Sequence, residues 1–189
     1  MRTATIKLEG VSPYSANHVL EDREKSPGES NDDHEKRCWK QRLNVDSSGR
    51  GIIPPMAFTQ ALQVAAKRYA GKIQGKGNAT WTKHFEAGLY VVDPLVLPVT
   101  REDVPGEWVF VPSDGVSGSG KRVMKCFPVV QKWGGSVDVH VLDDEITPEI
   151  FEKVAEAAFK LVGIGRFRPE RRGYYGRAEV KSITWSKES

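Results

Sequence analysis

The chain has 189 residues and a formal net charge of +3, which suits one ordinary domain and does not by itself require a polyanionic partner. No apolar run approaches the roughly 18 residues that cross a membrane, and residues 1–10 lack the basic start and apolar block of a secretory signal. We therefore predict a single soluble domain, 1–189, in the cytoplasm, with no membrane partner. Cys38 and Cys126 stand apart and predict reduced thiols, so we expect neither a metal site nor a cofactor.

The small net charge conceals an uneven distribution along the chain. Residues 21–35 are strongly acidic, whereas residues 67–83 and 166–177 are strongly basic. A folded surface can bring two basic zones together and attract a polyanion. The alternative is that each charged run is only a solvated face.

The N-terminal half predicts a strand, a polar insertion and a helix. Residues 3–11 alternate polar and apolar side chains, which predicts a half-buried first strand. Residues 18–51 are mostly charged residues, Ser, Asn and Gly, so we predict a long, partly mobile insertion there. Trp39 and Leu43 lie four positions apart and predict a short helical anchor within it. Pro55 then begins an amphipathic helix, whose apolar positions are Phe58, Ala61, Leu62, Ala65 and Tyr69.

The following region predicts strands. Residues 89–97 are rich in Val and Leu and predict one buried strand, and residues 107–112 predict a second, short one. Residues 122–131 and 136–142 predict two strands that pair as a hairpin through Trp133-Gly134-Gly135.

The C-terminal region predicts a helix and a final strand. Thr147 is the expected N-cap, Pro148 the first helical residue and Gly163 the stop, and residues 174–185 supply the last strand. The order of elements approximates βαββαβ. It predicts an α+β, ferredoxin-like (RRM-like) fold with a long insertion after the first strand and a β-hairpin extension.

Residues 115–122 nearly match a phosphate-binding P-loop, with the sequence Gly-Val-Ser-Gly-Ser-Gly-Lys-Arg. The last position should be Ser or Thr to reach magnesium, but it is Arg122, and we predict that a strand follows instead of a helix. The segment is better interpreted as a flexible, basic hairpin tip, where Lys121 and Arg122 can contact a backbone phosphate.

His34 lies beside Asp32 and Asp33, which invites a metal or acid–base site. Clustered acids in a polar loop are usually only solvated, so catalysis by Asp33 or His34 is an alternative hypothesis. The nucleophile motif Gly-x-Ser-x-Gly and the zinc motif His-Glu-x-x-His are both missing from the sequence.

Residues 163–177 give the clearest functional pattern. The glycines permit positive φ and a close approach of the backbone to a ligand, and they are Gly163, Gly165, Gly173 and Gly176. Five arginines can donate paired hydrogen bonds to phosphates, and they are Arg166, Arg168, Arg171, Arg172 and Arg177.

Aromatic side chains interleave with these arginines. Phe167, Tyr174 and Tyr175 offer faces on which unpaired bases can stack, at ~1–3 kcal/mol per base. The pattern favours single-stranded RNA or DNA over duplex, because reading a duplex more naturally requires a recognition helix. The alternative, a helix C-cap followed by a turn with tyrosines in the core, explains the glycines but not five arginines.

Two motifs resemble a known family, the RAMP superfamily, which includes the RNA-binding backbone and processing subunits of CRISPR effector complexes. Gly163-Ile-Gly-Arg followed by Gly173-Tyr-Tyr-Gly-Arg resembles the family's glycine-rich loop between the last helix and the last strand. Gly51-Ile-Ile-Pro-Pro-Met-Ala-Phe is similar to the segment before its first helix. Arg171-Arg172 replace the family's more compact glycine-rich linkage. The chain also resembles small stand-alone phage proteins of similar layout.

The resemblance implies a ferredoxin-like fold and a single-stranded nucleic-acid ligand. It also implies assembly along that ligand, as a homo-oligomer or with CRISPR-type complex subunits. We predict a non-catalytic, largely sequence-independent binding protein. Its secondary phosphate contacts are expected from Lys121, Arg122, Lys67 and Arg68.

Two other functions stay open. Some RAMP relatives cleave RNA with a histidine or with an aspartate after the first strand, so one alternative is a metal- or His-dependent endoribonuclease. The other is a phage protein that mimics and blocks a CRISPR complex subunit.

Overall fold

A computed structural model describes residues 1–22, 24–113 and 120–187 and shows antiparallel sheets combined with helices, which confirms the predicted α+β class. The strands are β1 (Arg2–Gly10), β2 (Tyr14–Ser15), β3 (Arg50–Ile53), β4 (Leu89–Val91), β5 (Leu95–Thr100), β6 (Gly106–Pro112), β7 (Arg122–Val130), β8 (Gly134–Val141) and β9 (Ala178–Lys187). The α-helices are α1 (Asn31–Cys38), α2 (Pro55–Ala65), α3 (Thr82–Ala87) and α4 (Pro148–Ala157).

Four strands form the main sheet, in the order β4–β8–β1–β9, and each neighbouring pair is antiparallel. Along the chain, this sheet and its two longest helices follow the order β1, α2, β4, β8, α4, β9. A second sheet has the order β2–β7–β6, and β3 pairs with β5. The strand predicted from the N-terminal alternation is thus an inner strand of the main sheet.

The alternation of β1 separates a buried face from a polar face. Ala4, Ile6 and Leu8 are buried, whereas Lys7 on the opposite face is exposed. The buried face belongs to a hydrophobic core that also contains apolar residues of α2 and α4. This burial is the main favourable contribution to folding, at roughly 25 cal/mol for each Å² of apolar surface removed from water.

Both long helices begin as predicted. Pro55 and Pro148 occupy first-turn positions, and the Thr147 hydroxyl accepts a hydrogen bond from the backbone N–H of Ile150. Each helix continues as a π-helical turn, Ala66–Ala70 after α2 and Ala158–Val162 after α4. Within the described part of the chain, we find no helix both long and apolar enough to cross a membrane.

The prediction of one strand over residues 89–97 was wrong. The segment forms two strands that belong to different sheets, because β4 pairs with β8 whereas β5 pairs with β3. The break falls at residues 92–94, where Asp93-Pro94 interrupts the apolar run, and Pro94 has no N–H to offer to a ladder.

The predicted hairpin between β7 and β8 was also wrong. Strand β7 pairs with β6, and β8 pairs with β1. The physical reason is the connection at Trp133, whose indole N–H donates to the carbonyl of Ser12 at 2.8 Å and whose own carbonyl accepts from Gly10. Trp133 is buried, so the chain crosses from one sheet to the other there instead of turning back.

The final strand begins later than predicted, at Ala178 instead of residue 174. Gly176 has φ +74°, and its N–H donates to the carbonyl of Pro13 at 2.8 Å. These contacts hold the residues before Ala178 in a turned conformation that cannot join the ladder.

The polar insertion contains helix α1, which was not predicted, followed by a 3₁₀ turn over Trp39–Arg42. Glu35 and Arg42 form a buried ion pair, with nitrogen–oxygen distances of 2.6 and 3.0 Å. The same carboxylate accepts from the backbone N–H of Cys126 at 2.8 Å, and Arg42 donates to the Cys126 carbonyl at 3.2 Å. Two side chains of the insertion therefore provide hydrogen-bond partners for the backbone N–H and C=O of Cys126 at the edge of β7.

Candidate nucleic-acid interface

The glycine-rich segment forms a folded loop over residues 163–177, and its path requires glycine at several positions. Gly163, Gly165 and Gly176 have φ values of +73°, +83° and +74°. The N–H of Ile164 donates to the carbonyl of Gly176 at 3.0 Å, so the two ends of the loop are held together. A side chain at position 176 would place its Cβ 1.7 Å from the Ile164 oxygen.

Arg166 lies under this loop instead of projecting from it. Its side chain is only 7% exposed, and the guanidinium carbon lies 3.7 Å from the ring centroid of Phe127 on β7. The guanidinium also donates to the hydroxyl of Ser15 at 3.1 Å. Burial lowers the pKa of Arg166 from its usual value, although the charge is retained at neutral pH. Cation–π contacts of this kind fasten the loop to β7.

Tyr175 adds a second connection between the loop and the β6–β7 hairpin. Its hydroxyl donates to the carboxylate of Glu107 on β6. The pKa of Tyr175 is raised to about 12, mainly by burial and to a smaller extent by this carboxylate. Tyr174, in contrast, is 63% exposed and packs edge-on against the Tyr175 ring. The two tyrosines therefore differ, and the exposed Tyr174 offers the more accessible ring.

A single carboxylate gathers three of the predicted phosphate ligands. Glu170 has a side chain only 7% exposed, and it lies 3.0 Å from Arg68, 3.0 Å from Arg168 and 3.1 Å from Arg171. Arg68 comes from the π-helical turn after α2, so this cluster joins the two basic zones found in the sequence. Its summed charge is positive, and the shared anion restricts the rotamers of the guanidinium groups before any ligand arrives.

Other cationic side chains near the loop are exposed. Arg172 and Arg177 belong to the loop, and Lys67 precedes Arg68. Among the described residues, none forms an ion pair with these three. Arg172 has φ +60° and ends the 3₁₀ turn Pro169–Arg171, which turns the chain sharply there. Arg177 lies apart, beside a depression of about 640 Å³ that it shares with Lys160.

A groove of about 780 Å³ runs between the glycine-rich loop and helix α2. Phe167 lies on its loop side, 49% exposed, and Arg168 and Arg171 line the same side. The N-terminal end of α2 borders the groove, so the positive pole of the helix dipole adds to the positive potential. The remaining lining comes from distant parts of the chain: Tyr14, Asn17, His18, Asn44, Pro54, Met56, Ala57, Gln60, Ala61, Val64, Val111 and residues 162–166.

The structure brings together only some of the predicted site residues. Residues 166–168 and Arg171 line the groove, and Arg68 reaches the same cluster through Glu170. Lys121 and Arg122 lie at the far end of the hairpin, since Arg122 is five residues, roughly 17 Å of strand, from Phe127. Residues 115–119 of the P-loop-like segment lie outside the described residues.

The acidic cluster of the insertion serves a helix terminus. The Asp33 carboxylate accepts from the Ser30 hydroxyl at 2.6 Å, and the Asp33 N–H donates back to that hydroxyl. This is a reciprocal cap at the start of α1, and the Ser30 hydrogen bond, with Lys36 nearby, lowers the pKa of Asp33. His34 approaches Cys38 at 3.8 Å. In the described ranges, no group of three or more His, Cys, Asp or Glu is arranged to hold a metal ion.

Sequence reasoning missed Asn17, His18 and Asn44 in the groove. They follow β2 or lie in the insertion, and no local pattern distinguishes them from other polar loop residues. The sequence pointed to this region only through the segment 51–58, which extends into the first turn of α2.

Among the solved structures similar to this chain, the crystal structure of Cmr6 from Pyrococcus furiosus is 15% identical, with 95% of this chain and 99% of that chain covered and a TM-score of 0.49. A chain described as a CRISPR RNA-guided surveillance complex is 10% identical, with 94% of this chain and 66% of that chain covered and a TM-score of 0.44. No protein-family model and no curated protein matches the sequence.

Proposed function

We propose that the protein is a non-catalytic, largely sequence-independent binding protein for single-stranded nucleic acid. The observation that carries this proposal is the groove beside the glycine-rich loop, where guanidinium groups and an exposed aromatic ring border an apolar floor. Such a surface offers charge for phosphates and flat apolar area for bases, which are the two features of single-strand binding sites. Duplex binding would not use the floor, because paired bases are stacked inside the helix.

The phosphate contacts are assigned to the cations that remain accessible. Arg171 is well exposed and Arg172 extends the positive edge beyond it, while Arg168 and Arg68 are held in place by Glu170. Holding these groups in place reduces the conformational entropy lost when a strand binds. Arg166 is assigned to fastening the loop, because its guanidinium is enclosed by Phe127 and Ser15.

The fold is proposed to be the ferredoxin-like arrangement of a RAMP protein. The strand order β4–β8–β1–β9, with α2 and α4 in the connections, supports the split βαβ plan. The sequence resemblance of residues 163–177 to the RAMP loop supports the same assignment. On this proposal the nucleic-acid ligand is RNA or single-stranded DNA. Further copies of this protein, or CRISPR-type subunits, bind along the same ligand.

The experiment that tests the function is fluorescence anisotropy with labelled single-stranded RNA, single-stranded DNA and duplex, across a salt series. We expect tighter, salt-sensitive binding to a single strand, with light scattering of the same mixtures reporting the copies bound per strand. An absence of binding at low salt would contradict the proposal. The arginine-rich loop would then be interpreted as a contact surface for another protein. Intact labelled RNA after incubation, with and without divalent metal, is expected because no cleavage is proposed.

Replacing Arg171 and Arg172 together by Ala should weaken single-strand binding by roughly tenfold or more, because hydrogen bonds to charged groups are lost. The slope of log affinity against log salt should become shallower by ~1.4, since each lost phosphate contact on a single strand accounts for ~0.7. The matched control is the double variant Lys7→Ala, Lys132→Ala, which removes two exposed cations that do not line the groove. Equal effects in the two double variants would show that only net charge matters.

A further inference from the structure

The floor of the groove is apolar and made of small side chains from one face of α2. Ala57, Ala61 and Val64 lie at a spacing of three or four residues, so they share one side of the helix. Phe167 forms the facing wall of the groove from the loop side. Small residues opposite an aromatic ring leave a space that accepts a flat, largely apolar group.

One rim of this floor carries polar, hydrogen-bonding side chains. Asn17, His18 and Asn44 all line the groove there. Among the described residues, none donates to or accepts from their side chains, so their hydrogen-bonding capacity is free for a ligand. The Asn amides offer both donors and acceptors, and an imidazole ring offers one of each when neutral.

The opposite rim carries cations. Arg168 and Arg171 line that side, within the cluster held by Glu170. The groove therefore runs from a rim of amide and imidazole groups, over an apolar floor, to a rim of guanidinium groups. Its volume of about 780 Å³ lies within the range of sites for organic ligands larger than one aromatic ring.

From this order of chemistry we infer that the groove holds an unstacked nucleobase of the bound strand, whose edge is contacted by Asn17, His18 and Asn44. The base face would lie on the floor, and the phosphates attached to its sugar would lie at the Arg168–Arg171 rim. A phosphate alone does not fit the apolar floor, and a purely apolar group leaves the amide rim without partners. The inference rests on the proposed function and adds a base-contacting site to it.

The first test compares wild-type binding to two strands of equal length and charge, an oligonucleotide with its bases and one made of abasic sugar–phosphate. We expect the base-bearing strand to bind roughly tenfold tighter, within the range of one stacked base. The two salt slopes should be equal, because both strands present the same phosphates.

Two variants assign this difference to the groove. Ala57→Trp fills the floor without changing any charge, and should lower affinity for base-bearing strands to the level of the abasic strand. The double variant Asn17→Ala, Asn44→Ala should reduce the differences among oligo(A), oligo(C) and oligo(U). Circular dichroism and a thermal melt show whether each variant is folded, and neither variant changes a charged residue.

The outcomes separate the inference from the function it rests on. Equal wild-type affinity for abasic and base-bearing strands would overturn the inference and leave phosphate binding intact. A preserved preference for base-bearing strands in Ala57→Trp would overturn it as well, because the base would then lie elsewhere. Failure of the wild type to bind any single strand would instead contradict the proposed function.

Discussion

Replacing Glu35 by Ala is expected to lower the free energy of unfolding by about 3–5 kcal/mol, the cost of removing one partner of a buried ion pair. The Glu35 and Arg42 side chains are only 7% and 6% exposed, and their nearest nitrogen–oxygen distance is 2.6 Å. The variant leaves the Arg42 charge buried and unpaired, and it removes the acceptor of the Cys126 N–H. Chemical denaturation followed by tryptophan fluorescence measures the change.

Two further variants show where the cost arises. Glu29→Ala removes one of the two carboxylates that pair with the half-exposed Arg37 in the same insertion. Asp22 remains as its partner, so only a small change in the free energy of unfolding is expected. The double variant Glu35→Leu, Arg42→Leu removes both charges, an exchange that is nearly neutral for many buried pairs. Here we expect it to remain destabilising, because the N–H and C=O groups of Cys126 both lose a partner. Wild-type stability of the double variant would contradict this account.

Replacing Gly176 by Ala should destabilise the protein by about 2–5 kcal/mol, the sum of a left-handed conformation and an overpacked contact. Its φ is +74°, and the added Cβ would lie 1.7 Å from the oxygen of Ile164, which is backbone and cannot rotate away. The clash would also break the hydrogen bond between Ile164 and Gly176 that closes the loop. A thermal melt together with strand binding measures the effect.

Gly71→Ala is the matched control, because Gly71 has φ +80° but nothing within 4 Å of the added Cβ. It should show a conformational cost without a clash, about 1–3 kcal/mol, because ψ at Gly71 is −160° and side-chain-bearing residues rarely adopt that conformation. A similar loss of stability in the two variants would mean that the loop moves to relieve the clash. Loss of strand binding only in Gly176→Ala would tie binding to the shape of the loop.

The two long helices, α2 and α4, and the first strand could be predicted from the sequence because their determinants are local. Pro55 and Pro148 begin helices, and the alternation in residues 3–11 defines a face. Strand pairing was less accessible. The pairing of β7 depends on the burial of Trp133. The hydrogen bond from its indole to the carbonyl of Ser12 joins residues far apart in the chain.

Helix α1 was missed for a different reason. Its sequence, Asn-Asp-Asp-His-Glu-Lys-Arg-Cys, has no apolar face, so composition indicated a solvated segment. The helix is held by the Ser30 cap and by burial of Glu35, which is the kind of charged residue that patterns place at the surface.

The candidate site could be located in the sequence but not built from it. The clustering of glycine and arginine pointed to residues 163–177, yet the enclosure of Arg166 depends on Phe127 and Ser15 from other elements. The polar rim of the groove depends on Asn17, His18 and Asn44, which only the fold brings near α2. Roles that depend on such distant contacts cannot be inferred from spacing.

The way the insertion meets β7 also bears on aggregation. Strand β2 covers only the end of that side of β7, pairing with Val129 and Val130. Towards the start of β7, Pro128 has no N–H to donate. The backbone N–H and C=O of Cys126 are hydrogen-bonded to Glu35 and Arg42. Unpaired strand edges recruit strands from neighbouring molecules. The buried ion pair thus shields this stretch of β7 from intermolecular pairing, so molecules in which the insertion detaches would be the ones prone to self-association.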